Sequence, residues 1–352
     1  MADVAVLILH PEPGGRAGEL ERWVAGARAA LAERHRVGFL EGGATDVTVS
    51  AGPPDGVTFG ARLKSFVAGR RPGGLVVLGS GAIPLATAAD RRAFVATAAS
   101  PGGRVAFVNN RYSADVLAIA AAANLAELPD MTTDNGLPRW LAEVAGYEVA
   151  DLRRRWRLGV DIDGPLDLVL ISSIGSRAWL SDAPAGAADR VADRLATLRA
   201  VARDRHAELI VAGRMSADGL AWLEHNTAAR ARALVEERGM RTAVDGQRPP
   251  RSVLGALLDR DGAAALGGIL SELGGAALVD SRVLLAHRLG AAETGWPAAE
   301  DRFASDVLLH ERIADPWLRE LTRSAAEAPI PVVLGGHTLV GPGLRLAIGR
   351  PG

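Results

Sequence analysis

"LVVLGSGAIPLATAADRRAFV" occupies residues 75–95. Leu75–Leu78 form an unbroken apolar run, the pattern of a strand covered on both faces in a parallel sheet. Gly79, Ser80 and Gly81 then open a turn of small residues. Thr87 stands where a helix N-cap is wanted, with Asp90 in the first turn behind it. Strand, small turn and helix in this order is the unit from which α/β sheets are built.

The same rhythm extends in both directions. "VAVLIL" (4–9) reads as a buried strand. "GELERWVAGARAALAERH" (18–35) carries Leu20, Trp23, Val24, Ala27 and Leu31 at helical spacing. "RVGFLEG" and "DVTVSAG" read as short strands, 58–72 as a helix, and "RVAFVNN" (104–110) as a strand. "GLPRWLAEVAGYEV" reads as a helix. Near 181–190 the chain restarts: "AELIVAGR" (207–214) is a buried strand, 216–239 one long helix, "AALVDSRVLLAH" a strand, and "IPVVLGGHTLVG" (330–341) a final strand. The expected architecture is α/β: a mostly parallel sheet flanked by helices over residues 1–181, and a second α/β unit over 182–352.

Composition narrows the function. The chain has 352 residues, 40 basic and 41 acidic side chains and a net charge of −1, with Lys64 its single lysine. No basic run marks a nucleic-acid footprint, and the seven tryptophans form no stacking array. Zero cysteines exclude disulfides, thiolate catalysis and Cys-ligated zinc. "VAVLIL" is too short, and lacks the basic lead, for a signal peptide. No apolar stretch reaches membrane-spanning length. A cytoplasmic protein without a membrane or nucleic-acid partner is expected.

Three segments carry chemistry. "AVLILHPEPGGRAGE" ends in Gly14, Gly15, Arg16 and Gly18 just before a helix, where backbone amides and a guanidinium suit phosphates. A plain helix-leading turn explains the same glycines. "LGVDIDGPLDLVLI" (158–171) places Asp161 and Asp163 either side of Ile162, on one face of an extended segment, where they suit a shared Mg²⁺. Alternatively, Asp163 caps the next helix and Asp161 is solvated. "FVNNRYSAD" sets Asn109, Asn110, Arg111 and Asp115 beyond a strand end, as ligand contacts or as an Asx-stabilised turn. "DMTTDNG" (130–136) reads as a lid or a homo-oligomer contact, with Asp134 as the alternative N-cap of the helix that follows.

In chain order, "AVLILHPEPGGRAGE", "LVVLGSGAIPLATAADRRAFV" and "LGVDIDGPLDLVLI" resemble the nucleotidyltransferase superfamily with a glycosyltransferase-A-like fold. The molybdenum-cofactor and 2-phospholactate guanylyltransferases are the relatives in view. "LVVLGSGAIPLAT" is similar to a "GD-x-P-L-L-T" signature, and "DIDGPLDL" to "D-I-D-T-P-x-D-L". The likeness covers roughly residues 1–175. It implies transfer of a nucleoside monophosphate from an NTP to a small phosphorylated acceptor. Arg16 and Asp163 would be catalytic, Asp163, Asp161 and Asp115 would hold Mg²⁺, and Gly14, Gly15, Gly18, Ser80, Asn109, Asn110 and Arg111 would contact substrate. Two groups of the pattern are missing: Ser80 replaces the acid of "GD-x-P", and no lysine follows the first loop. Two other readings therefore stand. One is a catalytically degenerate binder of a nucleotide or sugar phosphate. The other is an enzyme of a different class whose site lies in the second half, around Asp280, Arg282, Asp301, Arg302 and His337; Arg214 and Ser216, at a strand end before a helix, read separately as an anion site.

Overall fold

The computed structural model describes residues 3–53, 55–175, 177–236 and 249–349. They group into two compact units, residues 1–16 with 25–162 and residues 17–24 with 163–352. The restart near residue 182 and this division do not coincide. The segment that follows Ile162 packs with the second unit.

The first unit holds a six-stranded mixed sheet, in the order β2-β1-β3-β5-β4-β6. The strands are β1 (Val4–Pro11), β2 (Asp46–Gly52), β3 (Gly74–Gly79), β4 (Val105–Val108), β5 (Val116–Ala120) and β6 (Glu148–Asp151). β5 alone runs against its neighbours β3 and β4. Alternation along β1 assigns its side chains to two cores. Val4, Val6 and Ile8 face α1 (Glu19–Glu41) and α3 (Ala88–Ala98), against Ala32, Phe39, Phe94 and Val95. Ala5 and Leu7 face α2 (Phe59–Arg70) and α4 (Leu137–Glu143), against Leu63, Val67 and Leu141.

The second unit holds a four-stranded parallel sheet, in the order β10-β9-β7-β8. Its strands are β7 (Glu208–Gly213), β8 (Arg230–Val235), β9 (Ala276–Asp280) and β10 (Val332–Gly335). Helices α5 (Pro165–Ser172), α6 (Ala187–Ala202), α7 (Ala217–Asn226), α8 (Val253–Asp261), α9 (Leu266–Leu273), α10 (Ser281–Leu289), α11 (Ala299–Asp306) and α12 (Pro316–Glu327) surround it, with α13 (His337–Val340) and α14 (Leu344–Ile348) at the end. The chain is thus α/β, with one mixed and one parallel sheet flanked by helices. No helix among the described residues is long and apolar enough to cross a membrane.

Five elements differ from the sequence reading. "IPVVLGGHTLVG" is a strand only over Val332–Gly335, and His337–Val340 form α13. "RVGFLEG" is not a strand but the last turns of α1. Leu31, His35 and Phe39 follow one another at helical spacing and are all fully buried, so the helical face continues. The helix read over 216–239 stops at Asn226, and Arg230–Val235 form a strand that, among the described residues, pairs with β7 alone at the sheet edge. Residues 237–239 lie outside the described residues. Arginines at alternate positions, Arg230 and Arg232, fit an edge strand that resists further pairing. "AALVDSRVLLAH" is a strand only to Asp280, whose carboxylate accepts the Arg282 amide and starts α10. "GLPRWLAEVAGYEV" is helical only to Glu143, and its last residues enter β6.

Candidate functional site

The turn after β3 is tied down from several sides. The Ser80 amide donates to the Leu9 carbonyl, 2.8 Å away, locking the turn to the end of β1. The Ser80 hydroxyl and His10 Nδ1 are hydrogen-bonded at 3.0 Å, and both side chains are buried. Burial holds the imidazole of His10 below its ordinary pKa; Glu12 opposes the shift and Arg28 adds to it. His35, on α1, donates from Nε2 to the Ala82 carbonyl at 2.9 Å. Farther on, the Thr87–Asp90 capping box starts α3 as the sequence suggests.

The middle and late motifs meet at this turn. Ala82 and Asp161 form an isolated antiparallel bridge. The Ile162 amide donates to the Gly81 carbonyl at 3.0 Å, and Arg28 Nε donates to the Ile162 carbonyl at 2.6 Å. A Cβ on Gly81 would lie 2.8 Å from the Ile162 carbonyl oxygen and 2.9 Å from Asp161 Oδ1. Glycine is therefore required by the approach of the two segments. Arg28, which no motif singles out, brings a cation to the same peptide.

The other expected residues have different surroundings. Asn109 is buried and its amide is used structurally. Its Nδ2 donates to Asp115 Oδ2 (2.8 Å) and to the Leu158 carbonyl (2.9 Å), while its Oδ1 accepts the amides of Asp115 and Val116. Asn110 Oδ1 accepts the Tyr112 amide, an Asx turn. Arg111 is half-buried in the same loop. Gly14, Gly15 and Arg16 are exposed, and nothing lies within 4 Å of a Cβ placed on either glycine. Asp134 begins a 3-10 turn (Asp134–Gly136), and α4 has no side-chain cap. A cavity of about 360 Å³ opens beside β1, β2 and α2, lined by Thr48, Ser50, Arg62 and Phe66 among others. None of the expected site residues lines it.

Gly18 and Asp163 belong to the second unit. There the start of α1 carries a carboxylate of the protein itself. Glu300 accepts the amides of Leu20 (3.2 Å) and Glu21 (3.0 Å), and a Cβ on Gly18 would sit 2.0 Å from its carboxyl carbon. Asp163 is exposed and does not cap α5. That role falls to Asp167, whose Oδ2 accepts the amides of Asp163 and Gly164, each at 2.8 Å. Burial, then the neighbouring Asp163 charge, pushes the Asp167 carboxyl up to about 8.

Among the described residues no group of three or more His, Asp or Glu side chains is arranged to hold a metal ion. Mg²⁺ does not need one, since it takes one or two carboxylates and fills its shell with water and phosphate oxygens. In the first unit Asp161 brings a carboxylate to the turn, and the Asp115 carbonyl accepts the Gly79 amide at 3.2 Å. No protein-family model matches the chain, and no curated protein matches it.

Proposed function

We propose that this protein is a nucleotidyltransferase-like enzyme that moves a nucleoside monophosphate from an NTP to a small phosphorylated acceptor. The bridge between Ala82 and Asp161 carries the reading, because it joins two of the three motifs on which the resemblance rests. The mixed α/β sheet of the first unit, with helices on both faces, is compatible with it.

The chemistry asks for charge neutralisation and alignment more than for a covalent protein partner. An oxygen of the acceptor attacks the α-phosphorus of the NTP, and the bond to pyrophosphate breaks. Arg28 supplies a fixed positive charge beside the turn, and the Ser80–His10 pair offers a hydroxyl and a neutral imidazole to a phosphate or sugar oxygen. Mg²⁺, held by Asp161 together with the phosphates, would offset the charge of the triphosphate. Arg16 and Arg111 remain candidates for substrate contact from exposed or half-buried positions.

Ser80 favours a second reading. Its hydroxyl is paired with His10 where the signature has an acid. A protein that binds the nucleotide or a sugar phosphate without turning it over fits that substitution. Thermal unfolding with each NTP, with and without Mg²⁺, tests both readings alongside an assay of pyrophosphate release. Mg²⁺-dependent stabilisation with release supports the enzyme. Stabilisation without release, over a range of phosphorylated acceptors, supports the binder. No effect of any nucleotide removes both, and unaltered Mg²⁺ dependence in Asp161→Asn removes Asp161 from the site.

A further inference from the structure

The second sheet has its own topological switch point. The connection from β7 leads to β8 on one side, and that from β9 leads to β10 on the other, while β7 and β9 lie side by side. In open parallel sheets, ligands bind in the crevice beyond the carboxyl ends of the two strands where the order reverses. Here those strand ends carry Arg214, just after β7, and Asp280, the last residue of β9.

The pair is built like a mounted guanidinium. Arg214 Nε donates to Asp280 Oδ2 at 2.6 Å, and Nη2 donates to Oδ1 at 3.1 Å. Asp280 is wholly buried, whereas 14% of the Arg214 side chain reaches solvent. Burial opposes ionisation of Asp280, but the charge and hydrogen bonds of Arg214, with His337 and Arg282, outweigh it and hold the carboxyl below its usual range. Gly213 has a φ of +136°, and a Cβ there would fall 2.3 Å from the Cβ of Asp280. The backbone is thus shaped to seat the carboxylate that orients the arginine. Among the described residues, Arg214 Nη1 makes no hydrogen bond. Ser216, two residues on, N-caps α7 through its hydroxyl, which accepts the Gly219 amide. The first amides of α7 open at the same strand end.

We infer that the carboxyl edge of the second sheet binds a phosphoryl group of a small metabolite, with Arg214 as the contacting residue and Asp280 as the residue that positions it. A phosphoryl group is the class favoured because a planar guanidinium fork and the start of a ten-residue helix each suit phosphate oxygens. The inference does not depend on the nucleotidyltransferase reading, which concerns the first unit.

Calorimetric titration of the full chain with inorganic phosphate, and with acetate in parallel, tests it. Saturable binding of phosphate, and weaker or no binding of acetate, is expected. Arg214→Lys keeps the charge but loses the fork, and should weaken phosphate by about tenfold or more, while Arg28→Lys, in the first unit, should retain a phosphate site of wild-type affinity. Far-ultraviolet circular dichroism checks that the variants fold. Should Arg214→Lys fail to fold, Ser216→Ala serves instead, with the same direction of change. No saturable phosphate binding, acetate binding as tightly as phosphate, wild-type affinity in the Arg214 or Ser216 variant, or loss confined to Arg28→Lys would each overturn the assignment.

Discussion

Arg282 grips Asp306 with both ends of its guanidinium, Nη1 to Oδ1 at 2.7 Å and Nη2 to Oδ2 at 2.6 Å, inside the second unit. Only 13% of the arginine side chain and 2% of the aspartate are exposed. Burial works against the charge on Arg282, and the opposed Asp306 carboxylate pushes its pKa up instead. The pair spans the start of α10 and the end of α11. Gly164 leaves room for it: a Cβ there would lie 2.9 Å from Asp306 Oδ2.

A buried ion pair is costly to halve and cheap to replace whole. Asp306→Ala strands the Arg282 charge in the interior and is expected to lower unfolding free energy by about 3–5 kcal/mol. The double variant Arg282→Met/Asp306→Ala should lose far less than the sum of Arg282→Met and Asp306→Ala measured singly. Equilibrium denaturation of the three proteins reads the difference, and additivity would show that the two residues do not act as a unit.

His35 predicts a weakening in mild acid. Burial, against the bond to Ala82 and with help from Arg91 and Arg34, pushes its pKa down to about 3. Its Nδ1 accepts Arg91 Nε at 3.4 Å while Nε2 donates to Ala82, so the native ring is neutral. The unfolded chain takes up a proton near pH 6.5 that the native state refuses. The stability this ring contributes is therefore intact above about pH 6.5 and is lost as pH falls towards 3. Near pH 5 the loss should be about 2 kcal/mol. His35→Gln keeps a donor for Ala82 and should remove that part of the slope. An unchanged slope would mean that the native ring is protonated.

Asp167 acts in the opposite direction. Its carboxyl is raised from 3.8 to about 8, so the native state keeps a proton that the unfolded chain releases. Stability from this group is full below about pH 4 and is lost as pH rises towards 8. Asp167→Asn copies the neutral acid and can still accept the Asp163 and Gly164 amides. Its stability relative to the wild type should rise with pH by about 1.4 kcal/mol per unit between pH 5 and 7. A constant difference across that range would show that Asp167 is ionised throughout.

What the sequence discloses and what it hides follow the range of the interactions. β3, its turn and the Thr87–Asp90 cap were legible because each is settled within a few residues. The end of α1 misled because Val37, Phe39 and Leu40 look like a strand until His35 is known to be buried beside Phe39. β8 was hidden because charged arginines alternate with small apolar residues on an edge strand, a pattern equally at home on a solvated helix. At the candidate site, Ser80 and Asp161 were visible as motif positions, but their partners were not. His10 reaches Ser80 across 70 residues and Arg28 reaches Ile162 across 134. Asn109 stands at a strand end, a place that suits ligand contact, and its four hydrogen bonds within the fold appear only in three dimensions.

The longest of these links gives the last prediction. Glu300 caps the start of α1 from about 280 residues away. Arg312 steadies the site, pairing with Glu19 at 2.7 Å and lying 3.6 Å from Glu300. A carboxylate at a helix N-terminus satisfies amides that have no helical partner and meets the positive end of the helix dipole. Glu300→Ala should cost about 1 kcal/mol, the usual scale for a lost cap. Gly18→Ala should cost at least as much, because its methyl would occupy the volume of the Glu300 carboxyl. The two costs must not add. Once Glu300 is shortened to alanine, the methyl at position 18 has room, and the second substitution should be nearly neutral. A double-mutant cycle by denaturant unfolding measures the coupling. Additive costs would mean that Gly18 is selected by its backbone alone and that the carboxylate has no fixed seat at the helix start.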